Sequence, residues 1–154
     1  VFRDIYVKGR YGVQQIDIIV VTEKGVFVIE KKTYTGLIVG SAYDKEWKVY
    51  TGRGRMQFFM KNPHHQNYGH IQALYEAIPE LRDKCIDLVI FGNNATLGDR
   101  IPEGTIYDSD FRRYYKSLPY ELFQKEMKFY ADKIENLNSE KAENKKLHKA
   151  KFRP

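Results

Sequence analysis

Between residues 15 and 36 the chain reads QIDIIVVTEKGVFVIEKKTYTG, two apolar runs separated by Glu23-Lys24-Gly25. The runs are rich in Val, Ile and Phe, which suit a pleated, half-buried backbone, and the short polar break ending in glycine is a hairpin signal. They predict a central strand over residues 14–22 and a return strand over 26–34. Upstream, residues 2–8 alternate loosely and predict a strand, followed by a turn at 9–12. Downstream, residues 36–51 predict one or two shorter strands ending near Trp47, and Gly52-Arg53-Gly54-Arg55 a flexible loop.

Asn62-Pro63 opens a helix. Asn caps well, and Pro suits the first helical position, where its missing N–H would have no partner. Ile71, Leu74, Tyr75 and Ile78 form the apolar face, and Pro79 ends it. Residues 85–91 predict another buried strand, 92–104 a loop and 105–107 a short strand. Asp108-Ser109-Asp110 caps a helix running through Leu118. Pro119 is expected to start a long final helix carrying Leu122, Met127, Phe129 and Ile134. Strands followed by helix, strand and helices place the chain in the α/β class, with a mixed central β-sheet flanked by helices. No repeat or linker divides it. The expected organisation is one domain over residues 1–138 and a basic tail over 139–154, either the end of the last helix or disordered.

Three residues break the apolar pattern. Asp17, Glu30 and Lys32 stand inside runs that are otherwise hydrophobic on both sides, and a lone charge is costly to bury. Strand residues alternate between faces, so Glu30 and Lys32 share one face and Lys31 takes the other. A hairpin brings Asp17 across to them. Two close carboxylates repel, and a hard divalent cation between them relieves the repulsion. A lysine beside them can orient a water or stabilise a phosphate as charge develops. This is the set that metal-assisted phosphodiester hydrolysis needs. A buried acid–lysine pair accounts for the same spacing, so both readings stand at this point.

Composition sharpens little of this. With 154 residues, 42% of them hydrophobic, the chain can build a real core. Its single cysteine, Cys85, excludes an internal disulfide framework and fits a reducing compartment. No apolar run is long enough for a membrane span, and no signal peptide is visible. The expected location is the cytoplasm, or a membrane surface if an anchor precedes Val1. Of the formal net charge of +6, most sits in residues 141–154, which hold six basic residues and one acid, Glu143. A solvated or frayed helix is the plainer reading of that run, and phosphate contact the sharper one.

The hairpin charges, with Trp47 and the stretch KNPHHQNYGHIQAL at residues 61–74 following in order, resemble the nuclease-related domain, or NERD, family of the PD-(D/E)XK nuclease superfamily. The similarity covers roughly the first half of the chain plus the strand CIDLVIF. It implies a restriction-endonuclease-like fold and a Mg²⁺- or Mn²⁺-dependent nuclease acting on DNA. By that resemblance Asp17 and Glu30 are the metal-binding acids, helped by the backbone carbonyl of Lys31. Lys32 is the catalytic lysine, and Gln66 faces the site or substrate. Superfamily members often carry a further acid on a helix before the first strand; this sequence shows no such helix, which reflects either residues missing upstream of Val1 or an acid absent from this protein.

Other candidates are weaker. His64, His65 and His70 with Cys85 match no strong zinc spacing. Arg53, Arg55, Lys61 and His64 are candidate nucleic-acid contacts, with Tyr50, Phe58 and Phe59 interleaved as stacking groups or as core. The expected partner is DNA, with RNA second, no small-molecule cofactor, and an oligomeric state that admits a dimer. The competing function is a catalytically inactive nucleic-acid-binding accessory module with a vestigial nuclease site. A third class is a contact domain that uses the last helix and tail.

Overall fold

The computed structural model describes residues 1–10, 12–138 and 141–150. The turn expected over 9–12 therefore falls partly outside the described residues, as do residues 139–140 and 151–154 of the expected tail. The leading sheet comprises β1 (Phe2–Gly9), β2 (Gly12–Thr22), β3 (Gly25–Lys32), β7 (Cys85–Phe91) and β9 (Thr105–Tyr107), in spatial order β1-β2-β3-β7-β9. The first three strands are antiparallel meander partners, whereas β3–β7 and β7–β9 are parallel. A second sheet holds β4 (Gly36–Val39), β5 (Glu46–Thr51), β6 (Met56–Lys61) and β8 (Ala95–Leu97), in the order β6-β5-β4-β8. With helices α1 (Pro63–Ala77), α2 (Phe111–Ser117), α3 (Gln124–Asn138) and α4 (Lys141–Ala150), the chain is a mixed α/β protein consistent with a restriction-endonuclease-like fold.

Strand β3 explains the unbroken apolar run. It lies between β2 and β7, and every residue from Gly25 to Glu30 is buried. A strand covered on both faces has no reason to alternate. Val26 and Val28 share a core with Ile71 and Leu74 of α1, Ile78 just past its end, and Ile134 of α3. Phe27 and Ile29 face the other way, onto Phe111, Tyr114 and Tyr115 of α2. The β2–β3 turn closes on two residues. Thr22 Oγ1 donates to the Gly25 carbonyl at 2.9 Å, and Gly25 takes a φ of +143°, which glycine adopts without a Cβ clash. The second sheet packs Ile38, Trp47, Val49 and Met60 against Val89 and Phe91 of β7.

Three elements differ from the reading above. Residues 52–55 are the tight turn of a β5–β6 hairpin, and β6 follows where no strand was expected. The doublet Phe58-Phe59 masks its alternation. The expected loop 92–104 contains β8, whose three residues pair in parallel with β4; so short a strand carries almost no periodic signal. Pro119 does not start the last helix. Residues Glu121 and Leu122 both donate their N–H groups to the Glu23 carbonyl, at 2.9 and 3.0 Å, so this non-helical stretch is pinned to the β2–β3 turn. Helix α3 begins at Gln124, and α4 packs beside β1 and β2.

Candidate functional site

The β2–β3 ladder runs from Thr22–Gly25 back to Ile18–Ile29 and stops there. Asp17 and Glu30 would form the next pair, on the face that carries Ile19 and Val28. Instead the strands part, and Asp17 Oδ2 accepts the Lys31 backbone N–H at 3.1 Å. A strand edge that has lost its ladder partner thus gains a carboxylate in its place, and Asp17 is fixed beside the β3 backbone.

Glu30 is 7% exposed. Its Oε1 lies 3.2 Å from Lys32 Nζ, one residue pair along the same face. Its Oε2 faces α1, where His70 Nδ1 lies 3.5 Å away. Burial raises the Glu30 pKa above its ordinary value; Asp17 adds to the rise, and Lys32 works against it.

Helix α1 supplies the opposite wall. Asn62 caps it, with Oδ1 accepting the His64 N–H at 2.9 Å, while Nδ2 donates to the carbonyls of Ser41, Ala42 and Asp44. Asn67, fully buried, donates to the Val28 carbonyl and to Asp87 Oδ1, both at 2.7 Å. These bonds lock the helix over β3 and β7. Gln66 and His70, four residues apart on one face, then face the Glu30 side of the fold, His70 meeting Glu30 itself. Gln14, Gln15, Asp17, Glu30, Lys61, Gln66, His70 and His148 line a single cleft of about 410 Å³.

The structure therefore brings together Asp17, Glu30, Lys32, Gln66 and Lys61. It places other expected residues elsewhere. Arg53 and Arg55 lie on the exposed β5–β6 turn, away from the cleft. His64, expected to reach phosphate, turns inward. Its Nδ1 is 2.7 Å from Asp87 Oδ2, and its Nε2 is 2.6 Å from Thr105 Oγ1. Both ring nitrogens are spent on holding α1 to β7 and β9, so we assign His64 a structural part. His65 likewise meets the Ala42 carbonyl at 3.0 Å.

Four lining residues, Gln14, Gln15, His70 and His148, were not anticipated as part of this site. His70 was weighed only as a zinc ligand, although its four-residue spacing from Gln66 is the signal that places it here. His148, in the basic C-terminal stretch, has no local signal. It reaches the cleft because α4 packs beside β2, where its ring meets Tyr6 edge-on at 5.6 Å.

Among the described residues, no three His, Cys, Asp or Glu side chains converge to hold an ion. The donors present nonetheless suit a hard divalent cation. Two carboxylates face one cleft. Glu30 Oε2 and Gln66 Oε1 are buried acceptors that no hydrogen bond among the described residues reaches. The raised Glu30 pKa marks a carboxylate that burial leaves poorly solvated, and a bound cation would favour its charged form.

Residues 1–92 match the family model described as "Nuclease-related domain". The chain is also similar to an uncharacterized protein of Bacillus anthracis, with 40% identity over 98 residues, which cover 63% of this chain and 45% of the relative. The chain thus spans less than half the length of the curated relative it matches. No solved structure matches it. No helix among the described residues is long and apolar enough to cross a membrane.

Proposed function

Because the chain belongs to the nuclease-related domain family, we propose that it is a metal-dependent nuclease that hydrolyses phosphodiester bonds in DNA, with the cleft at the β2–β3 split as its active site. The observation that carries this reading is that Asp17 and Glu30 line one cleft while Lys32 Nζ lies 3.2 Å from Glu30 Oε1. Asp17 and Glu30, with the Lys31 carbonyl, would hold Mg²⁺ or Mn²⁺, which supplies Lewis acidity at the phosphate and a more acidic water. Lys32 holds a positive charge against Glu30 Oε1, ready to meet charge that develops on the phosphate. Gln66 orients the scissile group or the attacking water. Lys61, at the mouth of the same cleft, neutralises an adjacent phosphate.

A second reading has its own support. With no group of three His, Cys, Asp or Glu side chains among the described residues placed to hold an ion, the cleft also suits a nucleic-acid-binding module that cuts nothing. One experiment separates the two. Supercoiled plasmid, single-stranded DNA and RNA are incubated with the protein in Mg²⁺, Mn²⁺ or EDTA, with binding measured in parallel. The proposed nuclease nicks plasmid only with metal, and Lys32→Ala lowers the rate by about 10² or more. Binding without cleavage of any substrate in either metal would overturn the nuclease reading in favour of the binding module.

A further inference from the structure

Among the described residues, no helix covers the outer face of the second sheet. In an antiparallel pair, residues directly opposite each other share a face. Phe59 on β6 faces Lys48 on β5, which faces Val39 on β4. The next row is Gln57, Tyr50, Leu37 and, on β8, Thr96. On this side Phe59 is 56% exposed, Leu37 41% and Val39 37%. An apolar, aromatic sheet face left in water is unusual in a chain whose other sheet is covered on both sides.

Its surroundings indicate what covers it. The hairpin over residues 44–61 holds five basic residues and two acids, Asp44 and Glu46. Lys48 stands within the apolar row itself. The face is also continuous with the proposed active site. Lys61, the last residue of β6, lines the catalytic cleft and a second depression of about 520 Å³, which Lys45, Glu46 and Gln66 also line. At the far end a third depression of about 520 Å³ opens between Leu37, Tyr50 and Thr96 and the turn bearing Arg53. From Lys61 to Gln57 is about 13 Å at 3.3 Å per residue. At 3.4 Å or more per nucleotide, that is about the length of a few nucleotides.

We propose that this sheet face is a stacking platform for unpaired bases, with Phe59 and Tyr50 beneath the bases and Lys48, Lys61 and Arg53 along the phosphates, so that the substrate is single-stranded DNA or a duplex with a single-stranded extension. This rests on the reading of the adjoining cleft as a nuclease site. Aromatic groups interleaved with cations bind single strands because every base has a π-face, whereas paired bases keep theirs hidden. A duplex can meet the lysines but not Phe59.

The test is binding in EDTA, where no cleavage occurs. Fluorescence anisotropy compares an oligothymidine of about 15 nucleotides, the same backbone without bases, and a duplex of equal length. The expected result is oligothymidine binding about tenfold tighter than either of the others. Phe59→Ala removes that preference, Phe59→Tyr keeps it, and Lys48→Ala weakens all three and lowers the salt slope by about one. Circular dichroism confirms that the variants are folded, as expected for exposed positions. Equal affinity for the abasic strand or the duplex overturns the proposal. So does a folded Phe59→Ala variant that binds as wild type, or one that instead dissolves a homodimer in sedimentation, since the face would then belong to a second copy. A base preference without any cleavage supports the platform and defeats only the nuclease reading. Duplex cleavage without a base preference does the reverse.

Discussion

Glu30 is where stability and the proposed chemistry oppose each other. Its carboxyl titrates above the ordinary value of 4.5, because burial and then Asp17 disfavour the charged form, with Lys32 opposing. The folded protein therefore holds this proton more tightly than the unfolded chain does. In metal-free protein this group's contribution to stability is greatest below pH 4.5. It falls as pH rises toward the raised value and is constant above it. Thermal unfolding against pH in EDTA should show that fall in wild type and lose it in Glu30→Gln. Adding Mg²⁺ to saturation should raise the wild-type Tm, since a ligand bound only by the folded state stabilises it, and leave Glu30→Gln nearly unmoved. An equal rise in both would place the ion elsewhere. Cys85 is the opposite kind of buried group. Burial pushes its thiol up to about 12, so it should resist alkylation at pH 8 until denaturant opens the fold, measurable by mass spectrometry. These residues were legible unequally. Asp17, Glu30 and Lys32 stood out because charge inside an apolar run needs a cause. His70 did not, because nothing local says what its helix faces.

Helix α1 carries the site's positional accuracy at its first two turns. Asn62 ties the cap to the chain preceding β5, and Asn67 ties the helix to β3 and β7. Asn67→Ala leaves the Val28 carbonyl and Asp87 Oδ1 without that donor and should cost about 2–4 kcal/mol in chemical denaturation. Asn67→Asp, which keeps the shape but sets a second carboxylate against Asp87, should be at least as damaging. If both variants unfold at the wild-type midpoint, the helix is held by its apolar face alone. The Asn-Pro start was legible because capping is local chemistry. The inward turn of His64 was not, because its partners Asp87 and Thr105 lie 23 and 41 residues away. Strands β6 and β8 were missed as well. The Phe58-Phe59 doublet hides the alternation of β6, and three-residue β8 exists through pairing with distant β4 rather than through its own pattern.

Taken as a molecule, the protein concentrates its positive charge in its C-terminal stretch, and α4 brings part of that stretch to the cleft. Lys145, Lys146 and Lys149 are exposed on the helix whose His148 lines the site. A run that read most simply as solvated tail thus sits where a phosphate backbone could leave the cleft. Replacing these three lysines by Gln should reduce the slope of log affinity against log salt by about one for each lysine that meets a phosphate. Base preference should be untouched, as read by the same anisotropy titrations. An unchanged slope would return the helix to a purely packing part.

The second sheet ends at Lys61 and helix α1 is capped by the very next residue, Asn62. No slack separates the surface proposed to grip a strand from the wall that carries Gln66 and His70. The pair behaves as a rigid ruler. A strand seated against Phe59 would be cut at a constant offset from its resting place, leaving fragments of uniform overhang rather than a random ladder.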